Sequence, residues 1–184
     1  MIGDERGMQN ELQKMQANYV PLSPISFLTR AAKIYPDRLA ISYGEHRITY
    51  GAFYDRVRRF ASALAKLDIG VGDTVSIIAP NVPALLEAHY AVPAIGAVLS
   101  AINTRLDATN VAFILEHSTS KVLLVDDEFA DLAAEVMHLS KAKPHIIRIA
   151  DTAIDPTLQI SPIEYEDFLS SGDPHFTLQL PKDE

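Results

Sequence analysis

No cysteine occurs anywhere in the chain. That excludes disulfides, thiolate metal ligands and a cysteine nucleophile, and it suits a reducing cytoplasm. Cations are also scarce: 16 Lys and Arg stand against 24 Asp and Glu, a formal net charge of −8. Nucleic acids and anionic membranes are gripped by clustered Lys and Arg, so neither partner is expected. The longest apolar stretch, Ala84 to Ile102, carries Glu87 and His89 and is broken by Pro93 and Gly96. It reads as a buried helix followed by a strand, not as a membrane span. Met1 to Asn18 is polar and lacks the apolar centre of a signal peptide. Also missing are an internal repeat, a Gly-x-Ser-x-Gly elbow and a basic-aromatic array, which leaves a serine hydrolase and a single-strand binder without support.

What is present is enough for one sizeable core: 184 residues, 48% hydrophobic and 22% charged. The stretch Val71 to Asp126 organises it. Three runs rich in aliphatic residues, 74–79, 97–102 and 121–126, alternate with segments of helical spacing. Strands joined through helices pair in parallel, because a parallel neighbour is reached only by a crossover. Each run is apolar on both sides, so the sheet is expected to be covered on both faces. The fold class is therefore α/β, a mainly parallel sheet flanked by helices on both faces.

Residues 1–22 read as a flexible tail and 23–150 as the α/β unit, with 151–184 a loop-rich segment holding Pro156, Pro162, Gly172, Pro174 and Pro181. Ser23-Pro24 starts a helix that presents Phe27, Leu28, Ala31 and Ile34 on one side and stops before Pro36. Gly44-Glu45 turns a small antiparallel hairpin. Thr49 caps a helix whose apolar line is Phe53, Val57, Phe60, Leu64 and Leu67. Gly70 is placed for its left-handed end. After Asp126, a helix over 128–139 and a strand over 145–149 continue the alternation, and a short helix is expected over 163–169.

Candidate functional residues are few. Arg56, Arg58, Arg59 and Lys66 suggest a phosphate site but fit better as the solvated face of an amphipathic helix. Gly70 and Gly72 follow a helix and precede a strand, the reverse of a nucleotide loop, whose amides must open a helix. Asn81 can cap a helix whose first residues are Val82 and Pro83. His89 reads as a core or boundary histidine, and His138 and His145 lack a convergent carboxylate for a metal. Asp107 can cap a helix holding Val111, Ile114 and Leu115. Just before it, Arg105 lies with Asn103 in the turn after the second core strand; from its chemistry alone it is a solvated loop arginine or an anion contact.

Taken in order, Pro36-Asp37-Arg38-Leu-Ala40, Ile48-Thr-Tyr50, Val71 to Asn81, Gly96-Ala-Val, Asn103-Thr-Arg-Leu-Asp107 and His117 to Asp126 resemble the N-terminal part of the adenylate-forming acyl-CoA synthetases. Tyr90-Ala-Val-Pro93 and Asn103-Thr-Arg-Leu-Asp107 are most similar to the branch activating medium-chain, branched or sulfur-containing fatty acids. The resemblance implies a ligase that joins a fatty acid to coenzyme A through an acyl-adenylate, consuming ATP with magnesium and releasing pyrophosphate and AMP. In that family the phosphates are handled by a Thr/Ser/Gly-rich loop, a later aromatic-Thr-Glu segment, a ribose-binding Asp and a C-terminal Lys. None of these occurs here, and Leu180 to Glu184 looks like the approach to the first.

This leads to an N-terminal ligase fragment without catalytic residues, inactive alone and not binding ATP, magnesium or CoA tightly. The alternative is a non-catalytic scaffold or partner-binding module derived from the family. Arg105 is the one position that the resemblance links to a cofactor, through the phosphates of CoA. Sheet edges that relatives complete with later segments are expected to lead to self-association.

Overall fold

The computed structural model describes residues 23–150, 161 and 163–179. The expected tail, 1–22, lies outside the described residues, as do 151–160, 162 and 180–184. The fold opens with helix α1 (Pro24–Ile34), and Ser23 caps it by accepting a hydrogen bond from the Ile25 amide. Its buried side carries Ile25 and Leu28, whereas Phe27 and Ile34 are exposed, a rotation from the expected face. Strands β1 (Leu39–Tyr43) and β2 (His46–Thr49) form the antiparallel hairpin, turned at Gly44 with φ of +51°.

Helix α2 (Tyr50–Lys66) starts at Thr49, whose Oγ1 accepts from the Ala52 amide at 3.3 Å. Its left-handed end falls on Asp68 (φ 57°) instead of Gly70, since a short polar side chain tolerates that conformation. The Gly70 amide instead donates to the Asp73 carboxylate at 3.0 Å. Strand β3 (Thr74–Ile78) leads into α3 (Pro83–Ala91) and β4 (Val98–Ala101). Helix α4 (Ala108–His117), β5 (Val122–Asp126), α5 (Ala130–Leu139) and β6 (His145–Ile149) follow, and α6 (Tyr165–Ser170) closes the described chain.

The four parallel strands lie in the order β4-β3-β5-β6, with Val75 opposite Leu99 and Val122, and Leu124 opposite Ile147. Alternate residues of the sheet serve two cores. Val75, Ile77, Val122, Leu124 and Ile147 pack with α2, α3 and α6, while Ile78, Leu123, Val125 and Ile146 pack with α4 and α5. The expected doubly covered parallel sheet is present. Its β4 edge is the exception, with Val98 53% exposed.

Helix α3 begins without a side-chain cap: Val82 holds the cap position and Pro83 the first turn, so Asn81 does not cap it. Proline has no N–H to satisfy, which lowers the need for a cap there. Gly96 ends the following 3₁₀ turn at φ 75°.

Candidate functional site

The strand order reverses between β3 and β5, because β4 lies on one side of β3 and the remaining strands on the other. Open α/β sheets bind ligands beyond the carboxyl ends of their strands at such a point. A cavity of about 490 Å³ lies there, lined by residues of the hairpin, the start of α3, the ends of β5 and β6, and α6.

Glu87 of α3, adjoining this cavity, has a fully buried side chain. Its carboxylate accepts from Arg56 Nε at 2.5 Å, from Arg56 Nη2 at 3.3 Å and from the Tyr165 hydroxyl at 2.5 Å. All three contacts donate to it, the pattern of an ionised carboxylate. Burial pushes its carboxyl up, against the Arg56 and Tyr165 hydrogen bonds. Burial, then the Glu87 charge, raises the Tyr165 phenol. Burial would pull the Arg56 guanidinium down, but hydrogen bonds to Glu166 and Glu87 reverse this and raise it, so it stays charged.

The arginine face of α2 is therefore not a solvated face. Arg56 binds Glu87 and Glu166, Arg58 donates to the Phe176 carbonyl at 3.1 Å, Arg59 to the Gly172 carbonyl at 3.2 Å, and Lys66 to the Ser171 carbonyl. Ser62, on the same helix, accepts from the Asp173 amide at 3.0 Å. The polar side of α2 is a rail on which residues 165–176 are seated. Gly172 is needed there, because a Cβ at this position would lie 2.0 Å from the Arg59 carbonyl oxygen.

Arg105 is exposed in the turn between β4 and α4, where its amide donates to Asn103 Oδ1 at 3.0 Å. The turn is at the same end of the sheet as the cavity, but Arg105 does not line it. Asp107 caps α4 through the Asn110 amide at 2.9 Å. His89 is exposed, with Nδ1 2.8 Å from the Leu85 carbonyl oxygen.

Sequence reasoning missed Glu87, Tyr165 and Glu166. One signal was available for Glu87: a carboxylate in a helix apolar almost all round must find a buried counter-charge.

These residues do not by themselves suit a magnesium-bound triphosphate. The turn after β3 offers Pro80 and Asn81, the end of β5 and the turn after it Asp126 and Asp127, and the first turn of α3 holds a proline. Among the described residues no three His, Cys, Asp or Glu side chains converge as metal ligands, and no helix is long and apolar enough to cross a membrane.

Residues 28–175 match the family model described as AMP-binding enzyme. A peroxisomal acetate/butyrate–CoA ligase of Arabidopsis thaliana is 46% identical over 95% of this chain and 33% of its own length. An acetate–CoA ligase of Humulus lupulus is 44% identical, again over 95% of this chain and 33% of its own. The crystal structure of an anthranilate CoA ligase with anthranoyl-AMP shares the fold at a TM-score of 0.78 and 19% identity, over 89% of this chain and 31% of that one. The chain thus spans about a third of the length of the relatives it matches. On the match over 28–175, the chain belongs to the AMP-binding enzyme family.

Proposed function

We propose that this chain forms the N-terminal part of an AMP-forming acid–CoA ligase that converts a fatty acid, ATP and CoA into acyl-CoA, AMP and pyrophosphate. The observation that carries the reading is the 46% identity to an acetate/butyrate–CoA ligase over nearly the whole chain. The substrate we place among small carboxylic acids. The described residues supply scaffold and a charged cavity floor; ATP and magnesium are handled elsewhere in the ligase.

The test is acid-dependent exchange of labelled pyrophosphate into ATP. The full-length ligase is expected to show it with acids between acetate and octanoate, and the 184-residue chain alone is expected to show none. Failure of the full-length protein with every acid would overturn the reading, and exchange by the chain alone would overturn its inactivity.

Arg105 is proposed as a contact to the phosphates of CoA. In the full-length ligase, Arg105→Ala is expected to raise the KM for CoA about fivefold, the scale of an exposed ionic contact, and to leave pyrophosphate exchange unchanged. An unaltered KM would remove the assignment.

A cytoplasmic site of action is proposed as well, in keeping with the absence of cysteine. The Arabidopsis relative is named peroxisomal, and a fluorescent fusion of the full-length protein that collects in peroxisomes would displace the cytoplasmic reading.

A further inference from the structure

The guanidinium of Arg56 is held by two carboxylates in unequal surroundings. One edge, Nε and Nη2, forks onto Glu87 at 2.5 and 3.3 Å. The other, Nη1 and Nη2, forks onto Glu166 at 2.9 and 2.6 Å. The Glu87 side chain is fully buried, so losing Arg56 would leave an uncompensated charge in the interior and this contact persists. The Glu166 side chain is 58% exposed. A two-bond fork makes Glu166 a strong partner, yet its exposure leaves this edge, and not the Glu87 edge, within reach of a ligand.

Arg56 and Glu166 both line the cavity of about 490 Å³, together with apolar Val82, Pro83, Ala84 and Ile149. A guanidinium edge matches a planar carboxylate in a way that a point charge does not. Two further acids, Asp126 and Glu164, line the same cavity. Their carboxylates accept from backbone amides, at 3.1 Å from Glu128 and 2.9 Å from Glu166, but their charge still disfavours a second negative charge on a ligand.

From this we infer that the outer edge of Arg56 is a binding site for a small monocarboxylate, with Glu166 as its built-in competitor. The ligand carboxylate replaces that of Glu166 on Nη1 and Nη2, and its short alkyl tail lies against Val82, Pro83 and Ile149. The inference rests on this local geometry and is independent of the ligase reading.

The test is an NMR titration of the ¹⁵N-labelled 184-residue chain with butyrate and, separately, inorganic phosphate, following the Arg56 Nε–H and Ala84 amide signals. In Glu166→Ala, butyrate is expected to give saturable shifts at both positions with an affinity at least about fivefold tighter than in the wild type. Phosphate is expected to bind more weakly than butyrate in both. No saturable shift at Arg56 in the variant, equal butyrate affinity in the two proteins, or phosphate binding as tightly as butyrate would each overturn the proposal. If Glu166→Ala loses the native spectrum, Glu166→Gln keeps the size, drops the charge and is judged by the same three criteria.

Discussion

Glu87 is a charge inside an apolar helix, held by partners 31 and 78 residues away along the chain. Arg56→Ala would leave that carboxylate buried without its cation and is expected to cost about 3–5 kcal/mol. Tyr165→Phe removes one hydrogen bond to a charged acceptor, for which about 1.5–3 kcal/mol is expected. Urea unfolding of both variants checks the ranking; a Tyr165→Phe loss that equals or exceeds that of Arg56→Ala would contradict this division of roles. Gly172→Ala forces a methyl into the Arg59 carbonyl and is expected to destabilise by about 1–3 kcal/mol, measurable in the same way.

A different carboxylate bears on acid behaviour. Asp73 accepts from Lys121, 2.6 Å away, and from the Gly70 amide, which hold its carboxyl below the usual aspartate range. Because its folded pKa lies below the unfolded one, its contribution is present above the ordinary aspartate pKa and is lost as pH falls through the folded value. Asp73→Asn is expected to flatten the acid limb of stability against pH. An unchanged acid limb would show that other carboxylates dominate it.

At the scale of elements, α2 decides how the last described residues lie. Its apolar line holds the core, while Arg58, Arg59, Ser62 and Lys66 hold residues 171–176 through main-chain groups. Arg59→Ala removes one such bond and is expected to speed amide hydrogen exchange over 171–178 by up to about tenfold, leaving β3 and β5 unchanged. Equal acceleration in the sheet would mean that the rail and the core open together.

The same helix shows what was legible in the sequence. Caps at Ser23, Thr49 and Asp107 act on amides two or three residues away, so local chemistry reveals them. Strand alternation and apolar runs likewise announce the parallel sheet. Apart from Glu87, 31 residues from Arg56, the hydrogen-bond partners of the α2 arginines are more than a hundred residues distant, and helical periodicity identifies a polar face without saying what packs on it. The cavity floor was hidden for the same reason, since Arg56, Glu87 and Tyr165 come from three separate segments.

For the whole molecule the two edges of the sheet differ. Beside β6, the Arg148 amide donates to the Ile163 carbonyl at 2.9 Å and Ser161 Oγ to the Ile146 carbonyl at 2.7 Å, so that edge is partly covered. Strand β4 has β3 on one side and no strand on the other among the described residues. We propose that this open edge pairs copies of the chain. Static light scattering is expected to show the apparent mass rising with concentration, and Val98→Lys to suppress the rise. A constant monomer mass would remove the proposal.

The seating of α6 on α2 also sets an order of assembly. Glu166 lies 110 residues after Arg56, an interval that takes roughly 5–20 s to synthesise at ordinary ribosomal rates. Arg56 and Glu87 emerge 31 residues apart and can meet early, while Tyr165 follows Glu87 by 78 residues and Glu166 follows Arg56 by 110. During that delay Arg58, Arg59 and Lys66 of α2 have water in place of the main-chain carbonyls of residues 171–176 that they bind in the folded chain.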